Sequence, residues 1–246
     1  MLEENLWPYG VVLYRFDEGN YRSPYLREKV LKEFRLLESL SCLRFVAVDG
    51  TENAPTYALV TSGEQCSSNV GRHIDPDSKA QEISLPGWCV VKQGAVLHEL
   101  LHLVGFAHEQ SRLDRDDFVS VDWSNIDWRR RFTYAKLSDA SLGLVPPPPY
   151  DFDSVLHYGP YDFALDKSRP TLRSQVAPFA VHERHYSLSP LDIVKVNRAY
   201  KCRRQLAEWA SVCMDYLRHC RLVNRQHCRR SEQVRKACPK SCSICE

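Results

Sequence analysis

The run His98-Glu99-Leu100-Leu101-His102 places two imidazoles four residues apart, with a carboxylate beside the first. On an α-helix, residues four apart lie roughly 40° from one another around the axis, so both rings can face one metal ion. Glu99 can then reach a metal-activated water and accept its proton. The competing account is two satisfied core histidines beside a chance glutamate. Gly105 breaks the helix three residues after His102, and His108 follows three residues later. A sharp turn there brings back a third imidazole. Three neutral nitrogens plus water make a tetrahedral site with one open position, the arrangement of catalytic zinc.

The spacing HExxHxxGxxH is the metzincin signature, and its continuation, FAHEQSRLDRDD, resembles the astacin family of secreted zinc endopeptidases. SVLHYG (154–159) resembles the family's Met-turn and the tyrosine after it. SLSPLDIVKVNRAYKC (187–202) resembles its closing helix and cysteine, and CSSNVGR (66–72) with ISLPGWC (83–89) the upper half of its cleft. The likeness covers about residues 5–202.

That resemblance implies an α+β, zincin-like protease of two subdomains around an active-site cleft. It implies one Zn2+ per chain on His98, His102 and His108, with Glu99 as general base. Tyr158 would be a metal ligand at rest and a hydrogen-bond donor to the tetrahedral oxyanion when substrate is bound. His157 is expected to serve structure instead of metal. The cysteine pairs implied are Cys42–Cys202 and Cys66–Cys89, where the residues alone leave three connectivities open. Ser67, Ser68 and Asn69 would bind substrate through backbone, as an edge strand does. Arg173, Arg184 and His182 fall where relatives build the pocket for the residue after the cut, and facing it they would favour acidic residues. Protein or peptide substrates follow, extracellular matrix or cuticle among them.

Several features depart from the family pattern, among them His185-Tyr186 in place of the small or glycine-containing turn before the LS segment. Leu156 stands at the Met-turn position, a volume-conserving exchange that usually costs under about 1.5 kcal/mol. Ser67 stands where tryptophan is common. In mature relatives the freed N-terminus folds toward the residue here numbered Glu109, and their inhibitory propeptide is absent from this chain.

The elements that must position these groups are legible in outline. Residues 11–16 alternate and are rich in β-formers, which predicts a strand. Ser23-Pro24 opens a helix whose Leu26, Val30, Phe34, Leu37 and Leu40 recur on one face. Leu43–Val48 and Tyr57–Thr61 read as strands, giving a mixed sheet crossed by a helix. The run 93–104 is apolar nearly all round and therefore a buried helix. Pro146–Pro149 is an extended spacer, and Ser189-Pro190 opens a last helix with Ile193, Val194, Val196 and Tyr200 as its apolar face.

Among 246 residues, 43% are hydrophobic and 26% charged, which excludes disordered and fibrous classes. A net charge of +2 gives no reason to expect nucleic acid, and no apolar run reaches membrane-span length. The charge is uneven: residues 203–246 carry 10 Lys+Arg against 4 Asp+Glu. Six of the ten cysteines crowd that tail, which reads as a disulfide framework in an oxidising compartment, with zinc as the rival account. Secretion, after removal of a leader, is the expectation. CMDYLRHC, RLVNRQHC and CPKSCSIC resemble the small helical, disulfide-rich ShKT module. The resemblance implies Cys213–Cys245, Cys220–Cys238 and Cys228–Cys242 out of 15 possible connectivities. The Lys-Tyr pair of channel-blocking relatives is missing. Two domains are thus expected: a protease, 1–202, and a ShKT-like module, 203–246, either targeting substrate or matrix or serving as a stapled, solvated spacer. The rival for the whole is a secreted binding or channel-modulating protein with a vestigial protease body.

Overall fold

The computed structural model describes residues 5–49, 56–75, 78–92, 94–137, 144, 147–183, 186–203 and 213–244. Contacts divide the chain into two compact units, residues 1–107 with 196–206, and residues 108–195 with 207–246.

The first unit is built on a five-stranded sheet. Strand β1 (Val11–Phe16) leads into helix α1 (Pro24–Leu40), with Ser23 Oγ accepting from the Leu26 amide as its cap. Strands β2 (Arg44–Ala47), β3 (Tyr57–Thr61), β4 (Ser67–Ser68) and β5 (Ala80–Ser84) complete the order β2-β1-β3-β5-β4. All pairings are parallel except β4 with β5, where Ser67 faces Ser84 and Ser68 faces Ile83. Val12, Val30, Phe34, Leu37, Val60 and Ile83 are buried, the inward residues expected of a sheet covered by an amphipathic helix. Helix α2 (Gly87–Val90) precedes helix α3 (Ala95–Leu103), whose Leu97, Leu100, Leu101 and Leu103 are all buried. Disulfides join Cys42 to Cys202 and Cys66 to Cys89. The Trp7 indole N–H donates to the Leu103 carbonyl at 2.8 Å, tying the N-terminal segment to the end of α3.

The second unit has little regular structure. Strands β6 (Val119–Val121) and β7 (Leu172–Ser174) form an antiparallel ribbon, and short 3-10 turns run through residues 109–134. Helix α4 (Pro190–Ala199) follows. Its buried residues include Asp192 and Lys195 beside Leu191 and Val196, whereas Ile193 and Val194 are only half-buried. An expectation based on apolar residues alone therefore holds for Val196, overstates Ile193 and Val194, and misses Asp192 and Lys195. Of the proline run, residue 146 lies outside the described residues, and 147–149 have no regular structure.

Residues 213–244 belong to this second unit and are not a solvated spacer. Leu217, Cys220, Val234, Ala237 and Cys238 share one core with Phe118, Tyr150, Phe152, Tyr158, Phe179 and Leu191. The tail carries helices α5 (Arg225–Arg230) and α6 (Glu232–Ala237) and the disulfides Cys220–Cys238 and Cys228–Cys242. The pair Cys213–Cys245 involves a cysteine outside the described residues. The Arg218 amide donates to Asp153 Oδ2 at 2.8 Å, and the His219 ring stacks on His182 with centroids 4.2 Å apart. No described helix is long and apolar enough to cross a membrane.

Candidate metal centre

Helix α3 ends in a Schellman turn. The Phe106 amide donates to the Leu101 carbonyl at 2.9 Å and the Gly105 amide to the His102 carbonyl at 2.8 Å. Gly105 sits at φ +111°, a conformation that a side chain would strain, so glycine is what lets the chain reverse here. The same turn orients a ring. The Phe106 carbonyl lies 2.6 Å from His102 Nδ1, so that nitrogen carries the proton and Nε2 presents its lone pair. His98 Nε2 is 3.1 Å from that Nε2. Burial pushes the His102 pKa down to about 4, which keeps the ring neutral and ligand-competent at neutral pH.

His108 follows two residues beyond Phe106, and one ligand nitrogen from each of His98, His102 and His108 lies within 4.8 Å of the others. Nitrogens about 2.0–2.1 Å from a tetrahedral zinc ion would sit about 3.3 Å apart. Three imidazoles, the commonest ligands of catalytic zinc, at this spacing fit the ion. The local sequence alone makes this cluster: one helical repeat, one glycine reversal and two further residues. Glu99, between the two helix histidines, is itself buried.

The segment after His108 is held by a buried ionic network. Glu109 Oε2 accepts from Lys195 Nζ at 2.6 Å, while Oε1 accepts from Arg112 Nη1 and from the Asp151 amide, each at 2.9 Å. These cations and the amide hold the Glu109 carboxyl down at about 2 despite its burial. Lys195 Nζ also lies 3.7 Å from Asp151 Oδ2, and Asp151 is pushed well above the usual carboxylate range by burial. Residues 1–4 lie outside the described residues, and Lys195 supplies the ammonium that meets Glu109.

A second carboxylate organises the segment carrying Tyr158. Asp192 accepts from Ser154 Oγ at 2.6 Å and from the Val155 and Ser189 amides at 3.0 Å each, while Ser189 Oγ accepts from the Asp192 amide at 2.8 Å. Ser189 and Asp192 thus make a reciprocal cap at the start of α4. Asp192 and Lys195 were missed as functional residues, although the Ser-x-x-Asp spacing was a readable signal for the first. Leu156 is buried, and its carbonyl accepts from the Glu109 amide at 3.2 Å. His157 has Nε2 2.8 Å from the Tyr150 hydroxyl and Nδ1 2.7 Å from the Tyr158 carbonyl, so it is engaged structurally at both nitrogens. The Tyr158 ring lies against His108, centroids 4.6 Å apart, and against Tyr134 and Phe163.

The other predicted positions are scattered. Ser67 and Ser68 form the outermost strand of the sheet, with Asn69 directly after them. Arg173 is an exposed residue of β7 opposite Ser120. His182 lines a cavity with Asp153, Tyr186, Arg218 and His219. Arg184 lies outside the described residues.

Comparison with known proteins is decisive on the family. The Astacin peptidase-family model matches residues 1–201. Astacin-like metalloprotease toxin 1 of Loxosceles intermedia is 34% identical over 206 residues, covering 81% of this chain and 73% of the toxin. Meprin A subunit alpha of Rattus norvegicus is 33% identical over 180 residues, 71% of this chain but only 22% of that protein. The chain spans under half of several other relatives. Among solved structures, high choriolytic enzyme 1, a hatching enzyme zinc-protease from Oryzias latipes, aligns with TM-score 0.71 at 28% identity. The alignment covers 82% of this chain and 98% of the hatching enzyme. The chain belongs to the astacin family of peptidases.

Proposed function

We infer that the protein is a secreted zinc-dependent endopeptidase, and the convergence of His98, His102 and His108 is the observation that carries this reading. Zinc on these three rings would supply Lewis acidity toward a peptide carbonyl and toward water. The protein's own groups do the rest. The Phe106 carbonyl fixes the tautomer of His102. Glu99, one residue along the helix from His98, takes a proton from the attacking water and returns it to the leaving amine. The Tyr158 phenol donates a hydrogen bond to the oxyanion as it forms. Ser67–Asn69, at the outer edge of the sheet, pair with the substrate backbone.

Residues 203–246 we assign to a ShKT-like module. The disulfides Cys220–Cys238 and Cys228–Cys242 and two short helices support that assignment. Its basic surface steers the enzyme toward acidic substrate or matrix. Disulfides in both units fit an oxidising, extracellular compartment.

The experiment is casein digestion with and without chelator, for the parent chain and for Glu99→Ala. Loss of hydrolysis on chelation, and loss in Glu99→Ala with metal still bound, is the expected result. Undiminished turnover in Glu99→Ala removes the mechanism.

A further inference from the structure

The segment Trp128–Tyr134 is a 3-10 stretch of the second unit in which Trp128, Arg129, Arg130, Arg131 and Phe132 are five consecutive exposed residues. Trp128 is 73% and Phe132 70% exposed. Single apolar side chains on a surface need no explanation, but two large rings bracketing three arginines are not a scattered pair. Nor is the segment loose. Ile126, before it, is buried and bridged to Ala164. The Asp127 side chain accepts from the Arg129 amide at 3.0 Å. At the far end Tyr134 is fully buried, its hydroxyl donating to the Asp162 carbonyl at 2.7 Å. Both ends are therefore pinned, and the fold itself presents the middle to solvent. Exposed Leu165 adjoins it through its amide, which donates to the Asn125 carbonyl at 2.9 Å.

Among the described residues, Asp127 is the one carboxylate within ion-pair reach of this ridge. Asp127 stands 3.8 Å from Arg129, a distance at which an exposed pair is worth little. Such a positive ridge favours an anionic partner, and the aromatic pair narrows its nature. A soluble polyanion can pair with guanidinium groups but leaves two indole- and phenyl-sized surfaces in water. A bilayer with anionic headgroups satisfies both: phosphates and carboxylates meet the arginines while Trp128 and Phe132 enter the headgroup–acyl boundary. We propose that residues 128–132, with Leu165 beside them, form a contact surface for anionic lipid membranes. The surface uses none of the residues assigned above to metal or catalysis.

The test is co-sedimentation of the full chain with large vesicles at about 0.1 M salt, where the Debye length is about 10 Å. The vesicles are phosphatidylcholine alone, and the same lipid containing roughly a third phosphatidylserine. Binding is expected to the anionic vesicles alone. R129Q/R130Q/R131Q should weaken it about a hundredfold, from roughly fivefold per arginine. W128A/F132A should weaken it at least about tenfold, since each ring buries apolar area in the boundary. Circular dichroism and melting temperature check that both variants fold. No binding to anionic vesicles overturns the proposal. So does equal binding by W128A/F132A, and if heparin retention then depends on the arginines alone, the surface serves a soluble polyanion instead.

Discussion

Replacing Lys195 with methionine tests whether the ionic network behind His108 is structural. The Glu109 carboxylate is almost fully buried and receives three donors: Lys195 Nζ at 2.6 Å, Arg112 Nη1 at 2.9 Å and the Asp151 amide at 2.9 Å. Methionine keeps the length of the side chain but leaves Glu109 with the Arg112 guanidinium as its remaining ion-pair partner, and leaves Asp151 without the ammonium. Breaking one partner of a buried pair costs about 3–5 kcal/mol, because a charge stays behind in a poor solvent. For a domain of this size that is a fall of about 6–20 °C in melting temperature. The loss should depend on pH, with a definite sign. In the parent protein the Glu109 pKa is lowered from 4.5 to about 2. Its stabilisation is thus complete above about 4.5 and lost only as pH falls toward 2. Without Lys195 that depression shrinks, and the carboxyl can protonate in mild acid, so the penalty of Lys195→Met should be largest near pH 7 and smaller by about pH 4. Glu109→Gln/Lys195→Met should be less damaging than the sum of the single changes by about 2 kcal/mol. Urea titration of the four proteins at both pH values measures all of this. A loss below about 1 kcal/mol at pH 7, as for an exposed pair, or one that does not change with pH, refutes the reasoning.

Other changes have equally definite outcomes. Gly105→Ala forces a side chain onto φ +111°, and should cost about 1–3 kcal/mol while weakening zinc affinity, read by competition with a fluorescent chelator. On the role proposed for it, Tyr158→Phe should lower kcat with KM little changed, because a hydrogen bond made only to the oxyanion would stabilise the transition state alone. A loss confined to KM would assign Tyr158 to binding. Leu156→Met exchanges one buried apolar side chain for another of similar volume, so kcat/KM should move by less than about tenfold. A gain of several hundredfold would mean that Leu156 is limiting. Asp192→Ala removes the acceptor of one hydroxyl and two amides and should destabilise by about 2–4 kcal/mol, measured by the same urea titration.

The metal centre was legible because it is local. Its three rings lie within eleven residues, and a period of four plus one glycine reversal fixes where they point. Helices α1 and α3 and strands β1, β2 and β3 of the first unit were legible for a similar reason: Val30, Phe34 and Leu37 repeat on one face, and Val11–Phe16 is rich in β-formers. Strand Ala80–Ser84 was not, being short and interrupted by Gln81 and Glu82. Lys195 escaped because a lysine between valines looks like a solvated position until the carboxylate it meets, 86 residues away, is in place. The turns of the second unit depend on such long-range polar partners, which leave no period to read.

The merging of the C-terminal segment into the second unit's core bears on how the chain matures. Phe152 and Phe179 have Leu217, Cys220 and Val234 as companions in that core. Closing the tail's disulfides therefore fixes part of the second unit's own core, so the tail is not an appendage to that unit. Removing those residues should bare apolar surface beside Phe152 and Phe179 and lower the solubility of what remains.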